Sequence, residues 1–418
     1  MDVSYFELFG QTLNLKDLVA RNQIDSLSNE LNEIDTKFEA EIAKINSFDE
    51  KIKQNFIFVS LMSGEDSYSK FEAAIEQCPE NGIIIIDGEY TIDFRAKYSL
   101  EISKPLTMFG GVVNIVNLDD ANGAFYVVHH TTNVTFDSVR FTGNKNYIVN
   151  TKGINNTITN CVFTITETCT AIRFCNQGNL IIGCVINSTS ANAAIEHNAL
   201  DGDDGTNWTI NNKIADCYIK HAGSGGGLLV AKTTQAHLPE GLTVENTQFI
   251  GNANANSNVV IDALYYGAFV NCIFDQCKAQ NVALRANNDI VKGVSFGNCY
   301  FGSNIRTIIG VYAIAAKAVT SISFNACYAN VKMFQCESNC ENVSISGCSV
   351  ECDDVAIWIS KGKNVVATAN SFLTNGSFYF YYDAGESGKV VSKNNFKKGN
   401  STGKYTANTN GFFDDYDA

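Results

Sequence analysis

A short phrase recurs at spacings of 21 to 33 residues between residues 133 and 396, and this repeat constrains the fold more than any other feature. Each copy has an apolar-x-apolar segment, a small polar corner, one small residue and a second apolar segment. Alternation of period two around a corner predicts two short strands joined by a bend. A repeat of this length predicts a solenoid whose units must stack to bury their apolar faces. The residues after the corner are Ser138, Cys161, Cys184, Cys217, Thr247, Cys272, Cys299, Cys327, Cys348, Ser371 and Asn395.

The corner itself is usually Asp, Asn or Gly, as in Asp137, Asn160 and Gly183. Such residues suit a sharp bend, and stacked Asn amides can hydrogen-bond from one unit to the next. A further apolar strand follows in each unit, for example at residues 171–174 and 283–285. Two or three strands per unit without helical periodicity predict an all-β fold, a single-stranded parallel β-helix of about eleven or more coils.

Seven of the 14 cysteines occupy the position after the corner. A column of like thiols at one inward position fills a core with small apolar groups. Seven stacked members cannot all form disulfides, and nothing indicates an oxidising compartment. We therefore expect reduced, buried thiols.

The formal net charge is −14, so the sequence does not show the excess of basic residues that is typical of nucleic-acid-binding proteins. There is no apolar run long enough for a membrane span. The first residues have neither the basic nor the apolar region of a signal peptide. We expect no nucleic-acid partner, no membrane span and synthesis without a secretory signal.

Residues 24–53 carry a heptad pattern with one interruption, at Glu41. The pattern predicts a coiled-coil stem of about 40 Å, preceded by an attachment segment at residues 1–23. The alternative is one amphipathic helix packed on the main domain. A bulky Phe at an a position favours a trimer over a dimer. The apolar heptad residues are Ile24, Leu27, Leu31, Ile34, Phe38, Ile45, Phe48 and Ile52.

Residues 54–92 contain an apolar neck, a short helix at 66–78 and a first strand. The helix is followed by Asn-Gly, an isoleucine run and Asp-Gly-Glu-Tyr-Thr-Ile at 87–92. This order resembles the opening of the pectate-lyase-like right-handed parallel β-helix superfamily, over about residues 66–396. The resemblance implies that the helix caps the open end of the solenoid. The β-helix is then expected at residues 93–396, with a C-terminal cap or tail at 397–418.

A coiled coil leading into such a β-helix resembles bacteriophage tailspikes and related virion appendages. That resemblance implies a homotrimer in the virion, assembled in the host cytoplasm. Its expected partners are a host surface polysaccharide and, through the N-terminus, other virion proteins. The Gly-His-Gly and Arg-x-Lys signatures of polygalacturonase-like relatives are absent, which argues against ordinary pectin hydrolysis.

Charged residues in the later strand of each repeat predict a site on the outside of the solenoid. With adjacent coils about 4.8 Å apart, Glu196 and Asp262 are expected about 10 Å apart at the backbone. Two such carboxyls can serve as the acid and base of an inverting glycosidase. Arg173 and Arg285 would bind anionic sugars. The alternative is a charged ladder that only solubilises the surface. The extrapolated outward row is His129, Asn150, Arg173, Glu196, Ala231, Asp262 and Arg285.

Two long loops follow the same coils, at residues 196–208 and 221–240, and long loops on rigid scaffolds often carry function. We expect His197, Trp208 and Tyr265 to contact substrate, although burial is the alternative for each aromatic ring. An acidic turn in the first loop predicts either a Ca²⁺ site or a solvated turn; no other cofactor is indicated. The turn contains Asp201, Asp203 and Asp204.

Three functions fit these patterns. The first is a tailspike-like depolymerase that hydrolyses polysaccharide with paired carboxylates. The second is a non-enzymatic receptor-binding or structural appendage. The third is a uronic-acid lyase, in which arginines neutralise the sugar carboxylate and His197 or a nearby lysine abstracts the proton.

Overall fold

The structure, a computed structural model, describes residues 5–8, 11–199, 209–233, 237–306, 308–360, 362–376, 378–382, 389–397, 402–405 and 410–417. The chain divides into two units, Met1–Phe56 and Ile57–Ala418. Neither of the two α-helices in the described part of the chain is long and apolar enough to cross a membrane.

The first unit holds an antiparallel hairpin and one long helix. Strands β1 (Tyr5–Leu8) and β2 (Gln11–Asn14) pair, and helix α1 (Leu15–Asn55) follows directly. The helix therefore begins before the stem predicted to start at residue 24, because residues 15–23 of the predicted attachment segment are helical too. Self-association through the heptad stays a prediction. Five heptad side chains are between 62 and 65% exposed: Leu27, Leu31, Ile34, Phe38 and Ile45.

The remaining elements are short strands, one 3₁₀ turn and one helix. From the neck to the fifth coil they are β3 (Phe56–Phe58), the 3₁₀ turn Val59–Leu61, α2 (Ser67–Gln77), β4 (Gly82–Ile85), β5 (Glu89–Asp93), β6 (Leu100–Ile102), β7 (Leu106–Phe109), β8 (Val112–Val116), β9 (Phe125–Val127), β10 (Thr135–Asp137), β11 (Arg140–Thr151), β12 (Thr157–Thr159), β13 (Val162–Phe174), β14 (Leu180–Ile182), β15 (Val185–Ser188) and β16 (Ile195–Ala199).

The middle coils continue the same order. Their strands are β17 (Lys213–Ala215), β18 (Tyr218–His221), β19 (Leu228–Lys232), β20 (Thr243–Glu245), β21 (Gln248–Ile250), β22 (Ser257–Ile261), β23 (Leu264–Tyr265), β24 (Ala268–Val270), β25 (Ile273–Asp275), β26 (Gln280–Leu284), β27 (Val291–Lys292), β28 (Ser295–Gly297) and β29 (Tyr300–Phe301).

The last coils contain longer strands, several of which run through a bend from one sheet into the next. They are β30 (Ile309–Asn325), β31 (Tyr328–Ala329), β32 (Lys332–Ser346), β33 (Ser349–Cys352), β34 (Ile357–Ile359), β35 (Gly362–Thr368), β36 (Ser371–Thr374), β37 (Phe378–Tyr382), β38 (Lys389–Lys397), β39 (Thr402–Tyr405) and β40 (Asn410–Asp417).

Parallel pairing between successive coils sorts these strands, apart from β3, β23 and β27, into three sheets, which confirms the predicted β-helix. The first sheet stacks β4, β7, β10, β12, β14, β17, β20, β24, β28, β30, β32, β35, β38 and β40. The second sheet stacks β5, β8, β11, β13, β15, β18, β21, β25, β29, β31, β33, β36, β38 and β40. The third sheet stacks β6, β9, β11, β13, β16, β19, β22, β26, β30, β32, β34, β37 and β39.

The bend between the first and second sheets requires a left-handed backbone. Asn160, Asp216, Asn246 and Asn271 have φ between 49 and 54°, where short polar side chains are tolerated better than most. The Asn271 amide donates to Asn246 Oδ1 at 3.1 Å, and the Asn246 amide donates to Asp216 Oδ1 at 3.1 Å. The predicted hydrogen bonding from coil to coil at this corner is therefore confirmed.

The residues after the corner form a buried column. The structure corrects the predicted alignment of this column at two positions. Pairing of Asp137 with Thr159 places Val139, rather than Ser138, beside Cys161, because Ser138 itself takes the left-handed conformation. Pairing of Ser349 with Ser371 likewise places Asn370 in the column. All fourteen cysteines lie in the described part of the chain, where they are buried thiols rather than disulfides.

The two ends of the solenoid differ in how closely they follow the prediction. Helix α2 is capped by Asp66, whose carboxylate accepts from the Ser69 N–H at 2.8 Å, and Phe71 on this helix is buried against Phe125. The tail predicted as a loose cap instead contains β39 and β40, which pair in parallel with β37 and β38. The sheets of the β-helix thus extend past residue 396, because the coils continue although the sequence repeat is less regular there.

The interior also holds a hydrogen-bonded polar ladder around His221. The His221 imidazole donates from Nε2 to Asn258 Oδ1 at 2.8 Å, and the Asn258 amide donates to Asn281 Oδ1 at 2.8 Å. All three residues are buried. Burial lowers the pKa of His221 to about 4, because the charged imidazolium loses its hydration, while the bond to Asn258 opposes the shift.

We expect this histidine to make the fold sensitive to acid. The unfolded chain binds a proton at His221 near pH 6.5, whereas the folded chain binds it only near pH 4, so stability falls as the pH falls between these values. The full difference is about 3 kcal/mol. His221→Gln keeps a donor toward Asn258 and should remove this part of the pH dependence of denaturant unfolding.

The control is His130→Gln, because His130 lies exposed in a turn. Its unfolding curves should follow those of the parent at every pH between 7 and 4. Equal pH dependence in the parent and in His221→Gln would contradict the assignment.

Candidate functional site

The third sheet carries one row of side chains on its outer face, which we call the outer row, although Asn150 and Ala283 within it are buried. Register pairing defines its members, since each is the Cα partner of the next. They are Glu101, Tyr126, Asn150, Arg173, Glu196, Leu229, Val260, Ala283, Tyr312, Gln335, Trp358 and Tyr381.

Four residues of the predicted row do not belong to the outer row. The structure pairs Glu196 with Leu229 and Leu229 with Val260, so Ala231 and Asp262 lie two residues further along their strands. Arg285 is displaced in the same way, because Val260 pairs with Ala283. A shift of two residues preserves the alternation of inward and outward side chains, so the sequence pattern cannot detect it. His129, also predicted for this row, follows β9 and is replaced there by Tyr126.

Glu196 belongs to a cluster of three polar side chains from adjacent coils. The Tyr147 hydroxyl donates to Glu196 Oε2 at 3.2 Å. The guanidinium of Arg173, one coil before Glu196, lies 4.7 Å from the centre of the Tyr147 ring. Its Nε is buried and finds no acceptor among the described residues. The cluster therefore combines a carboxyl group, a phenol and a guanidinium group whose Nε–H can still donate a hydrogen bond.

Burial outweighs the charges around Glu196, so the pKa of this residue is raised. Burial raises the pKa of its carboxyl, and Arg173 and then Tyr147 oppose that rise. Burial also raises the pKa of Tyr147, and the neighbouring Glu196 raises it further. A carboxyl group with a raised pKa that still reaches a cleft can act as a general acid.

Glu196 and Arg285 line the same cleft, which has a volume of about 290 Å³. Its walls include Ser224 and Gly225 from a glycine run at residues 223–227. An ideal Cβ at Gly225 would lie 2.0 Å from the Asn192 carbonyl oxygen, so this position requires glycine. The glycine run therefore allows close packing of one coil on the previous one beside the cleft.

Asp262 lies on the same face but outside the residues that line this cleft. Burial raises the pKa of its carboxyl, and the nearby Arg285 opposes the rise. Asp262 Oδ1 is buried without a hydrogen-bond donor among the described residues. Asp262 lies two coils beyond Glu196 and two residues further along the strand. The backbones of the two residues are therefore about 12 Å apart, a little more than predicted.

His197 does not face the surface, so its predicted contact with substrate is wrong. The side chain is fully buried and packs on Phe174, with ring centroids 4.8 Å apart. The Asn212 amide lies 3.1 Å from His197 Nε2. Burial lowers the pKa of His197 to about 3. It is a neutral residue of the core.

The other predicted contacts lie apart from the cleft or outside the described residues. Tyr265 is on β23, where Lys292 Nζ lies 5.8 Å from its ring centroid, and it does not line the cleft. Trp208 and the acidic turn with Asp201, Asp203 and Asp204 fall outside the described residues. Within those residues, no three His, Cys, Asp or Glu side chains converge as metal ligands. Calcium in the loop stays a prediction.

A larger cleft of about 670 Å³ lies beside α2 and brings together none of the predicted site residues. Its lining includes the acidic side chains of Glu72, Glu76 and Glu101 and one cation, Lys104. The candidate functional site is therefore the smaller cleft, because Glu196, which belongs to the polar cluster, lines that cleft.

No protein-family model matches the sequence, and no curated protein matches it. Its structure is similar to tailspike protein 3 of bacteriophage CBA120, with a TM-score of 0.61 and 10% identity over 87% of this chain and 61% of that chain. It is also similar to the Streptococcus pneumoniae surface adhesin PfbA, with a TM-score of 0.52 and 12% identity over 87% of this chain and 100% of that one.

A third similar structure is a mannuronic-acid-specific polysaccharide family 6 lyase from human gut microbiota. The TM-score is 0.50, with 10% identity over 84% of this chain and 86% of the lyase. The described residues thus form a right-handed parallel β-helix of about 13 coils. The chain spans about three fifths of the length of the tailspike, and identities this low establish the fold alone.

Proposed function

We propose that this protein binds a polysaccharide along the outer row and hydrolyses it, with Glu196 as the general acid. The observation that carries the proposal is the position of Glu196, which reaches a cleft while burial raises its pKa. Arg173 on the preceding coil and Arg285 in the cleft supply two cations, of which Arg285 also lies near the Asp262 carboxyl. The buried Nε of Arg173 has no acceptor among the described residues, which favours a substrate with an acidic sugar.

In this mechanism Glu196 gives its proton to the leaving glycosidic oxygen as the bond from that oxygen to the anomeric carbon breaks. A water molecule attacks the anomeric carbon from the opposite face and gives up a proton to a second carboxylate. Asp262 is the candidate for this base, since it lies on the same face and its Oδ1 has no donor among the described residues. A separation wide enough for a water molecule implies inversion of configuration.

Lyase chemistry is the second candidate, and the two arginines favour it. Arg173 or Arg285 would neutralise a uronate carboxylate, which acidifies the neighbouring C–H bond. A base takes that proton as the C–O bond to the leaving sugar breaks and a C=C bond forms. The buried His197 is excluded as this base by its position. No lysine is among the described residues that line the cleft, so ionised Glu196 would have to serve, although its raised pKa disfavours ionisation.

The test is incubation of the full chain with an array of bacterial capsular polysaccharides of known composition. New reducing ends without near-ultraviolet absorbance support hydrolysis, whereas an unsaturated, absorbing product assigns the lyase. Retention without any shortening of the chains would assign a non-enzymatic receptor-binding protein. Failure to retain any polysaccharide contradicts the proposal.

We also propose that the protein is a tailspike-like component of a virion. The similarity to the tailspike of bacteriophage CBA120 supports this, together with the helical segment that precedes the β-helix. The exposed apolar heptad of α1 would join copies of the chain into a homotrimer. The segment before the helix would attach the trimer to other virion proteins.

We expect the purified chain to have a mass three times that of its 45.6 kDa monomer in light scattering. Leu31→Asp with Phe38→Asp places charges in the apolar seam and should reduce the mass to that of a monomer. The control, Asn29→Asp with Thr36→Asp, adds the same charge at the opposite f positions and should leave the trimer intact. A monomeric parent would contradict the coiled coil.

A further inference from the structure

We propose that Tyr147 is a positioning residue for the acid: its hydroxyl fixes Oε2 of Glu196 as the accepting oxygen and leaves Oε1 to carry the proton that reaches the substrate. This role rests on the proposed function and adds to it how the proton is held and over what pH range it is given. The Tyr147 hydroxyl donates to Glu196 Oε2 at 3.2 Å. Glu196 lines the cleft and Tyr147 does not, so Tyr147 acts through Glu196 rather than on the substrate.

This hydrogen bond needs a long side chain, because its two residues come from different coils. Tyr147 is the Cα partner of Thr170, and Glu196 is the Cα partner of Arg173, which lies on the same strand as Thr170. Tyr147 and Glu196 are therefore two coils apart, or about 10 Å along the solenoid. The tyrosine ring spans the coil between them, and phenylalanine would fill the same space without a hydroxyl to donate.

Neighbouring groups hold Tyr147 in place. The Arg173 guanidinium lies 4.7 Å from the centre of its ring. The Ala124 N–H donates to the Tyr147 carbonyl oxygen at 2.8 Å. An ideal Cβ at Gly123, where φ is 94°, would lie 2.8 Å from Tyr147 Cβ, so only glycine allows this close approach. A donor that is already in place costs no reorganisation when charge develops on its acceptor.

Both partners of the hydrogen bond keep the protons that this role requires. Burial raises the pKa of Tyr147 and Glu196 raises it further, so the phenol remains a donor. Burial raises the pKa of Glu196, and Arg173 and then Tyr147 oppose the rise. Arg285 lines the same cleft, and the Asp262 carboxyl lies near Arg285. Tyr147 therefore moderates the pKa of an acid that burial would otherwise raise further.

The hydrogen bond from Tyr147 strengthens as the proton is transferred. The Oε1–H bond breaks, the proton joins the leaving glycosidic oxygen, and the electron pair stays on the Glu196 carboxylate. A hydrogen bond to an ionised group is about twice as strong as one between neutral groups. Tyr147 therefore stabilises the transition state more than the bound substrate, which raises kcat rather than affinity.

Tyr147→Phe should lower kcat about ten- to hundredfold, the effect of losing a hydrogen bond to a charged group, and should leave KM within about twofold of the parent. Because this hydrogen bond lowers the pKa of Glu196, its loss should move the alkaline limb of the activity profile to higher pH. Site-specific replacement of Tyr147 by 3-fluorotyrosine, whose phenol is a stronger donor, should move the same limb to lower pH. Opposite shifts at one hydroxyl do not arise from a general loss of structure.

Tyr90→Phe is the matched control, because the Tyr90 hydroxyl also donates to a carboxylate, Asp87 Oδ1 at 2.9 Å, but lies on β5 and outside the cleft. Its kcat and pH profile should equal those of the parent. The substrate in each assay is a polysaccharide that the parent cleaves in the array. Thermal unfolding of each variant checks that the fold is intact, and the fluorotyrosine profile decides alone if Tyr147→Phe does not fold.

A Tyr147→Phe variant with the kcat and alkaline limb of the parent would overturn this role while the proposed function stands. A lower kcat without movement of the limb would assign Tyr147 a purely structural role and overturn it as well. If the parent cleaves no arrayed polysaccharide, or Glu196→Gln cleaves at the rate of the parent, the proposed function fails and this role fails with it.

Discussion

Glu196→Gln is expected to lower the rate of polysaccharide hydrolysis by about 10² to 10⁴-fold, the range that a positioned general acid contributes. The amide has the shape of the carboxyl and can still accept from the Tyr147 hydroxyl, but it has no acidic proton to give to the leaving oxygen. The measurement is the initial rate of new reducing ends on a polysaccharide that the array identifies. Retention of the same polysaccharide should change little, because Arg173 and Arg285 remain.

The matched control is Glu101→Gln, since Glu101 is another carboxylate of the outer row but is exposed and lies outside the cleft with Glu196. Its rate should equal that of the parent. The pH profile provides a second readout, because activity requires protonated Glu196 and declines as the pH rises through its pKa. Arg173→Gln removes a cation that lowers this pKa, so the alkaline limb should move to higher pH. Full activity in Glu196→Gln would remove this residue from the chemistry.

The alternation of the repeat was sufficient to predict the fold. Each strand shows a period of two, and each unit must stack to be buried, so the cysteine column and the polar corner follow directly from the sequence. The same rule places His197 inside, because β16 continues through residues 195–199 and Glu196 on this strand faces out. The error at His197 arose from treating this stretch as a loop.

The relative position of residues along neighbouring strands is harder to predict. Asp262 lies two residues from the outer row, and a shift of two residues leaves its orientation unchanged. The loops before the strands set that register, and their lengths vary from coil to coil. Tyr147 was missed for a related reason: it comes from a strand that passes through a bend at residues 143–145, so its direction toward Glu196 depends on the local irregularity.

Phe296→Ala is expected to cost about 3 to 5 kcal/mol of stability, the range for truncating a large buried aromatic side chain. Phe296 is 1% exposed and lies between Phe269 and Phe324, with ring centroids 5.2 Å away on each side. Phe301 packs edge-on at 5.7 Å. The cavity would open in the middle of the solenoid, where each coil is supported only by its two neighbours. The measurement is the midpoint and the rate of unfolding in denaturant, because large β-proteins often unfold irreversibly.

Tyr300→Ala tests whether burial or ring stacking accounts for the loss of stability expected in Phe296→Ala. Tyr300 lies in the same coil as Phe296 and stacks on Tyr328 with ring centroids 5.7 Å apart, but on the outer face of the second sheet. Tyr328 is 41% exposed, so this pair removes much less apolar surface from water. We expect Tyr300→Ala to cost about 1 kcal/mol or less. Equal losses in the two variants would mean that ring contacts between coils, and not the burial of the phenylalanine column, hold the solenoid together.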